Sequence, residues 1–239
     1  MKTTKENIIE TLNKIKKAEI VSVTDLLPLA AALDQAITKN HTGKMEGLQS
    51  LSTSVLLNEN CKRNREIDGA VCVKCYAARL AAMRTSLDEK LDFNTVLLTT
   101  CVLPVETLPV INSLYFRFES FGDLNNTIQV VNYFNICKKN PLVNFALWTK
   151  NPHIIAQAMN EYKIEKPNNI NIIYSSLFIN QESTGIFKKY SFIDKVFTVY
   201  DPQYIKENNI DINCGGRHCA GCLNCYKKND IRIINEKLK

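Results

Sequence analysis

The chain has little of what most catalytic and nucleotide-binding signatures need. It has three histidines and eight glycines among 239 residues, and it contains neither a glycine-rich phosphate loop nor a Ser-His-Asp order. No stretch approaches the ~18 apolar residues that a membrane span requires. The first twenty residues, MKTTKENIIETLNKIKKAEI, form an amphipathic charged pattern rather than the apolar core of a signal peptide. These absences predict a cytoplasmic protein with no membrane partner. His41 and His153 stand isolated in the sequence and read as structural.

What the chain does have is cysteine. Seven of its nine cysteines fall in two compact blocks: Cys61, Cys72 and Cys75 as C-x10-C-x2-C, and Cys214, Cys219, Cys222 and Cys225 as C-x4-C-x2-C-x2-C. In a reducing compartment thiols stay reduced, and clustered ones serve as metal ligands more often than as disulfides. An odd total fits that reading. Cys101 and Cys137 sit in apolar helical patterns and are assigned to packing. The net charge of +6 is dispersed along the chain; it gives mild attraction to polyanions without forming a nucleic-acid footprint.

Apolar spacing predicts two N-terminal helices over residues 5–18 and 24–38, packed as a hairpin, with Ser22 or Thr24 as the second N-cap. Leu48 to Leu56 reads as a strand ending just before Cys61. A helix is expected from near Cys75 to Phe93, followed by an apolar helical segment from Asn94 to Val102. Strands then recur at Ser113–Glu119, Asn144–Trp148, Ile170–Tyr174 and Val196–Tyr200, each but the last followed by a helical pattern or loop. Their ends fall about 25 to 30 residues apart, the rhythm of serial βα units with a parallel sheet. The expected fold is α/β, a partial (β/α) barrel or open parallel sheet of five strands. Residues 1–47 form an N-terminal helical extension, 48–212 the core with its cysteine loop at 60–76, and 213–239 a cysteine-rich C-terminal segment.

Right-handed crossovers bring the strand C-termini to one edge, where ligands gather in such folds. That edge would collect the cysteine loop, Arg117, Glu119, Asp123, Lys150, Ser175 and Asp201. Arg117 and Glu119 alternate with Phe116 and Phe118, which predicts one polar strand face. Asp123 either caps the following helix or binds a ligand amine. Lys150 either faces solvent or reaches an anionic group, and Ser175 either starts a loop or bonds a ribose or phosphate oxygen.

Three thiolates are one short of a closed zinc site but suit a four-iron cluster with one iron open; the second block supplies four, with the double x2 spacing of a bacterial ferredoxin run. Gly215, Gly216 and Gly221 allow tight turns there. A structural zinc shared by Cys72, Cys75 and two tail cysteines uses the same soft ligands, and residue type alone does not separate the metals. His218, flanked by cysteines, competes with Cys214 as a ligand. Tyr76 and Tyr226, each following a candidate ligand, are expected to shield the sulfurs from water.

The order strand, three-cysteine loop, helix, strand, acidic loop resembles the radical S-adenosylmethionine enzymes. Here ten residues separate the first two cysteines where that family has three. The resemblance implies a partial barrel, a 4Fe-4S cluster on Cys61, Cys72 and Cys75, and S-adenosylmethionine held near Glu119, Gly122, Asp123 and Ser175. Cys72-Val73-Lys74-Cys75-Tyr76-Ala77, Arg117 to Asp123, Thr149-Lys150 and the Cys214–Cys225 block also resemble a phage family called gene product eighty-eight, over about residues 48 to 227. A phage origin would place the protein in the host cytoplasm. The expected function is thus an iron–sulfur-dependent enzyme with Arg117, Glu119, Asp123 and Lys150 as catalytic candidates, one or two 4Fe-4S clusters, a small-molecule or nucleotide substrate and an external electron donor. The other expectation, of a different class, is a zinc-stapled module that binds nucleic acid or a host protein.

Overall fold

The computed structural model describes residues 4–215 and 218–238; Gly216 of the tail lies outside these. The chain opens with α1 (Thr4–Lys16) and α2 (Val23–Ala36). Ser22 starts α2 through a capping box: its Oγ accepts from the Asp25 amide at 3.2 Å, and the Asp25 carboxylate accepts from the Ser22 amide at 3.3 Å. The apolar stripes of the pair, Ile8 and Leu12 with Leu29 and Leu33, belong to the same buried cluster as Phe116 and Phe118. The helices therefore pack onto the main core.

After them come β1 (Gln49–Leu51), α3 (Glu59–Arg65), α4 (Tyr76–Met83), α5 (Thr85–Thr99), β2 (Tyr115–Phe118), α6 (Thr127–Lys139), β3 (Asn144–Thr149) and α7 (Pro152–Glu161). They are followed by β4 (Ile170–Ser175), α8 (Ile186–Lys189), β5 (Lys195–Tyr200), α9 (Pro202–Asn208), α10 (Cys219–Cys222) and β6 (Ile233–Lys237). The strands make one sheet in the order β1-β2-β3-β4-β5-β6 with every neighbouring pair parallel. When each strand joins beside its predecessor in the same sense, right-handed crossovers put the connecting helices on one face. Phe116, Phe118, Phe145, Leu147, Ile170 and Ile172 point to that face and form the larger core.

The opposite face carries Arg117, Ala146, Trp148, Asn171, Ile173, Lys195 and Phe197, in register across β2 to β5. Residues of the C-terminal segment cover it: Tyr226, Leu223, Cys214, Cys219 and Cys225 pack with Ala146, Ile173, Phe197 and Ile234. The sheet stays open, since β1 and β6 do not pair with each other. Thr38 bridges Ser50 along the free edge of β1, and Cys214 bridges Glu236 along that of β6.

Three features differ from expectation. β1 is shorter than Leu48–Leu56, because side chains elsewhere take the backbone groups that follow it: Asn94 Nδ2 donates to the Ser52 carbonyl, and the Thr53 and Ser54 amides donate to Glu119 and Thr95. The long helix expected after Cys75 is two helices broken at Arg84, whose φ of −132° and ψ of 91° are extended. Ala77, Ala78 and Ala81 on the first pack with Val55, whereas Leu97 and Leu98 on the second enter the main core, so the chain must turn between them. Finally the sheet has six strands, not five; β6 lies within the cysteine-rich segment. Cys101 and Cys137 are buried in the core, as their patterns predict. Among the described residues no helix is long and apolar enough to cross a membrane.

Candidate metal centre

The three-cysteine loop lies over the carboxyl ends of the strands, and local chemistry pins it there. Asn58 caps α3 by accepting from the Cys61 amide at 3.0 Å, while its Nδ2 donates to the carbonyls of Asp123 and Leu124 at 2.9 and 3.2 Å. That one buried side chain ties Cys61 to the loop after β2. Further along, the Val71 amide donates to the Leu177 carbonyl at 2.9 Å, just past the end of β4. Tyr76 Oη donates to the Ser120 carbonyl at 2.5 Å, although its ring is exposed rather than folded over the sulfurs. Cys61, on α3, is thereby brought to Cys72 and Cys75, which flank the end of a short 3-10 turn over Val71–Lys74.

Their electrostatics show the proximity. Burial pushes the Cys61 thiol well up, and Asp123 and Cys72 add to the shift while Lys150 opposes it. The Cys72 thiol is also raised by burial, against the pull of Lys150 and with Cys75 and Asp123 adding. Lys150 is half-buried and donates from Nζ to Ser175 Oγ at 3.0 Å, so it reaches across from β3 to β4 beneath the loop. Cys61, Cys72, Asp123, Lys150 and Ser175 are thus neighbours at one end of the sheet.

The two acidic candidates are not free to bind a ligand. Glu119 has a φ of +55°, which breaks the alternation of β2 and turns its side chain away from the face that carries Arg117. Its carboxylate is buried and accepts from Tyr133 Oη at 2.5 Å, Gln129 Nε2 at 2.6 Å, Thr53 Oγ1 at 3.0 Å and the Thr53 amide at 3.2 Å. Burial outweighs those bonds and pushes its pKa up to about 7. The single polar strand face expected for Arg117 and Glu119 is therefore corrected. Asp123 is not the cap of α6, which is Asn126. It accepts from Thr149 Oγ1 at 2.5 Å and from the amides of Leu124 and Lys150 at 2.7 and 2.9 Å, joining the β2 and β3 ends. Its pKa is raised by burial against Lys150 and Thr149. A Cβ on Gly122 would stand 2.6 Å from the Thr53 carbonyl oxygen and 2.7 Å from Glu119 Oε2, so the room its missing side chain leaves is filled by the protein itself. The residues that the resemblance assigns to the amine of S-adenosylmethionine do not fit that role.

The tail thiols gather on the other face of the sheet. Asn171 Nδ2 donates to the carbonyls of Cys225 and Lys227, both at 3.1 Å, and Lys195 Nζ donates to Asn229 Oδ1 and the Ile231 carbonyl, both at 2.6 Å. These two polar residues, buried near the starts of apolar strands β4 and β5, fix the backbone of the segment. His218 caps α10 and its Nδ1 donates to the Gly43 carbonyl at 2.9 Å, so that nitrogen is engaged. Burial pushes the Cys225 thiol up to about 12 against the pull of Arg117, and Cys214, Cys219 and Cys222 add to it. All four thiols thus act on one neighbourhood. Tyr226 is buried there with its ring edge-on to Tyr115, at 5.7 Å between centres. Arg117 belongs to this site rather than to the rim. Asp201 caps α9, accepting from the Gln203 amide at 2.8 Å.

The fold sets the two thiol blocks apart, the group of three at the strand ends and the group of four over one face of the sheet. Among the described residues no three His, Cys, Asp or Glu side chains already stand as metal ligands. Ligation by either group therefore needs its side chains to turn toward a common centre. The donor chemistry fits soft metals, with cysteine sulfurs in both groups. Asn58, Gln129, Asn171 and Lys195, which hold the two sites in place, carry no sequence signal beyond a polar residue in an apolar or turn setting. No family model, curated protein or solved structure matches this chain.

Proposed function

We propose that this chain is an iron–sulfur protein, and an enzyme, in which Cys61, Cys72 and Cys75 hold a four-iron cluster at the carboxyl rim and Cys214, Cys219, Cys222 and Cys225 hold a second. The observation that supports the reading is that the three-cysteine loop is pinned at the strand ends, with Cys61 and Cys72 near Lys150 and Asp123, where this class of fold places its chemistry. The open six-stranded parallel sheet is compatible with the partial barrel of the radical S-adenosylmethionine enzymes. When bound, a cluster held by three thiolates leaves one iron open, as a Lewis acid or a one-electron carrier.

The protein's own contribution is positioning and charge. Lys150, fixed by Ser175, offsets thiolate charge and presents an ammonium to a carboxylate or phosphate of a small-molecule or nucleotide substrate. Asp123 holds the Lys150 backbone and Asn58 the Cys61 helix, so both sides of the site are set by the loop after β2. Glu119, satisfied internally, supports this loop and takes no part in binding S-adenosylmethionine.

Anaerobically purified protein should be brown and contain iron and acid-labile sulfide, and Cys72→Ala should remove about half of the iron. Colourless protein with stoichiometric zinc would overturn the reading in favour of a zinc-stapled binding module for nucleic acid or a host protein. Reduced protein mixed with S-adenosylmethionine should yield no 5′-deoxyadenosine; its formation would restore a radical mechanism and refute the internal role given to Glu119.

A further inference from the structure

The tail segment covers a sheet face that carries two N–H groups with no partner among the described residues. Arg117 on β2 stacks on Trp148 of β3, its guanidinium carbon 4.3 Å from the ring centre, and its Nη1 donates to Met45 Sδ at 3.3 Å. Arg117 Nε and Trp148 Nε1 are both buried without a hydrogen-bond partner among the described residues. Buried donors left unpaired are uncommon in folded proteins, and two on adjoining side chains call for an acceptor. Trp148 packs against the apolar cluster that Cys214, Cys219 and Cys225 also join, with its ring 4.4 Å from that of Phe197. Met45, the partner of Arg117 Nη1, belongs to the same cluster, and Lys44 Nζ donates to Cys214 Sγ at 3.3 Å. Two cations and two buried donors thus lie on the side of the sheet that the tail segment covers.

We infer that Arg117 and Trp148 donate to the sulfur shell of the tail centre and set its reduction potential. The inference rests on the iron–sulfur reading above. N–H donors and a fixed positive charge beside a thiolate-held cluster favour its more negative, reduced form, and so raise the potential. The stacking explains why both side chains are required. The indole face holds the guanidinium in place and contributes its own N–H beside it. Arg117 is then a positioning residue of the second centre.

The experiment uses the full chain with Cys61, Cys72 and Cys75 replaced by alanine, so that only the tail centre forms. It is reconstituted anaerobically with ferrous iron and sulfide and titrated with dithionite by electron paramagnetic resonance. Arg117→Gln should lower the midpoint by about 60 mV, the one-electron equivalent of a tenfold shift in the redox equilibrium. Trp148→Phe keeps the ring and removes the N–H, and should move it the same way by less. Normal iron and sulfide content with an unmoved midpoint in both variants overturns the inference and leaves the iron–sulfur reading standing. A parent chain that takes up only zinc, or no metal, overturns both. If Arg117→Gln loses its cluster, Trp148→Phe alone decides, by whether its midpoint falls or stays. If the triple background does not fold, the same midpoints are read on the intact chain, from the signal that Cys222→Ala abolishes.

Discussion

Lys44 donates from Nζ to Glu236 Oε1 at 2.5 Å and to Cys214 Sγ at 3.3 Å, joining the turn ahead of the first strand to the last strand of the sheet. Burial works to lower the Lys44 pKa, but Glu236 and Cys214 together raise it, so the lysine stays charged. The turn before β1 and the edge strand β6 are thus linked by side chains, and Cys214 of the cysteine-rich segment sits at that link.

Lys44→Met should therefore loosen the tail selectively. The pair is partly exposed, so solvent screening limits the global cost to about 1–2 kcal/mol. Amide hydrogen exchange should rise at Cys214 and along Ile233–Lys237 while α6 is unchanged. Adding Glu236→Met should recover part of the loss, because no carboxylate then remains unpaired. Uniform exchange changes across the whole chain would show that the pair has no local role.

Glu119 gives a pH signature. Its folded pKa of about 7 lies above the usual carboxylate value, so the folded state holds a proton that the unfolded chain releases earlier. Its stabilising contribution is complete below about pH 4.5 and declines up to about pH 7, by about 3 kcal/mol at 1.36 kcal/mol per pKa unit. Urea midpoints measured from pH 4.5 to 8 should show this decline in the parent and a flatter course in Glu119→Gln. Parallel curves for the two proteins would refute it.

Gly122→Ala tests the close approach at the β2 loop. The new methyl would press on the Thr53 carbonyl and Glu119 Oε2, both backed by buried groups with no space to withdraw. A loss of about 1–3 kcal/mol in denaturant unfolding is expected, as for overpacking elsewhere. A neutral substitution would mean that the loop shifts freely.

Lys150→Met tests the rim electrostatics without any metal. Lys150 holds down the Cys61 and Cys72 thiols against burial. In metal-free protein at pH 8, alkylation of Cys72 by iodoacetamide should slow by about threefold, since less thiolate is present. Mass spectrometry of the labelled peptides reads this site by site. An unchanged rate at Cys72, with slowing at Cys222 instead, would misplace the lysine.

Much of the architecture was legible because it is local. The Ser22 cap, the helices after β2 and β3 and the βα rhythm all follow from spacing and end signals within a few residues. The break at Arg84 was not legible: neither glycine nor proline marks it, and it exists because the two halves face different clusters. The sixth strand was hidden for a similar reason. Ile-Ile-Asn-Glu-Lys is a weak strand signal beside a conspicuous cysteine block, and only pairing with β5 makes it a strand.

The sequence by itself determined which atoms are available: seven clustered thiols, a parallel α/β core, and the polar groups at the strand ends. Tertiary structure decided what those groups face. The left-handed backbone at Glu119 turned a candidate ligand into an internal support, and strand register put Arg117, with Asn171 and Lys195, on the face the tail covers, where the sequence had placed Arg117 at the rim. The physical reason is that a side chain's partner depends on backbone sign and sheet face. Both are set by residues scores of positions away, and no local pattern records them.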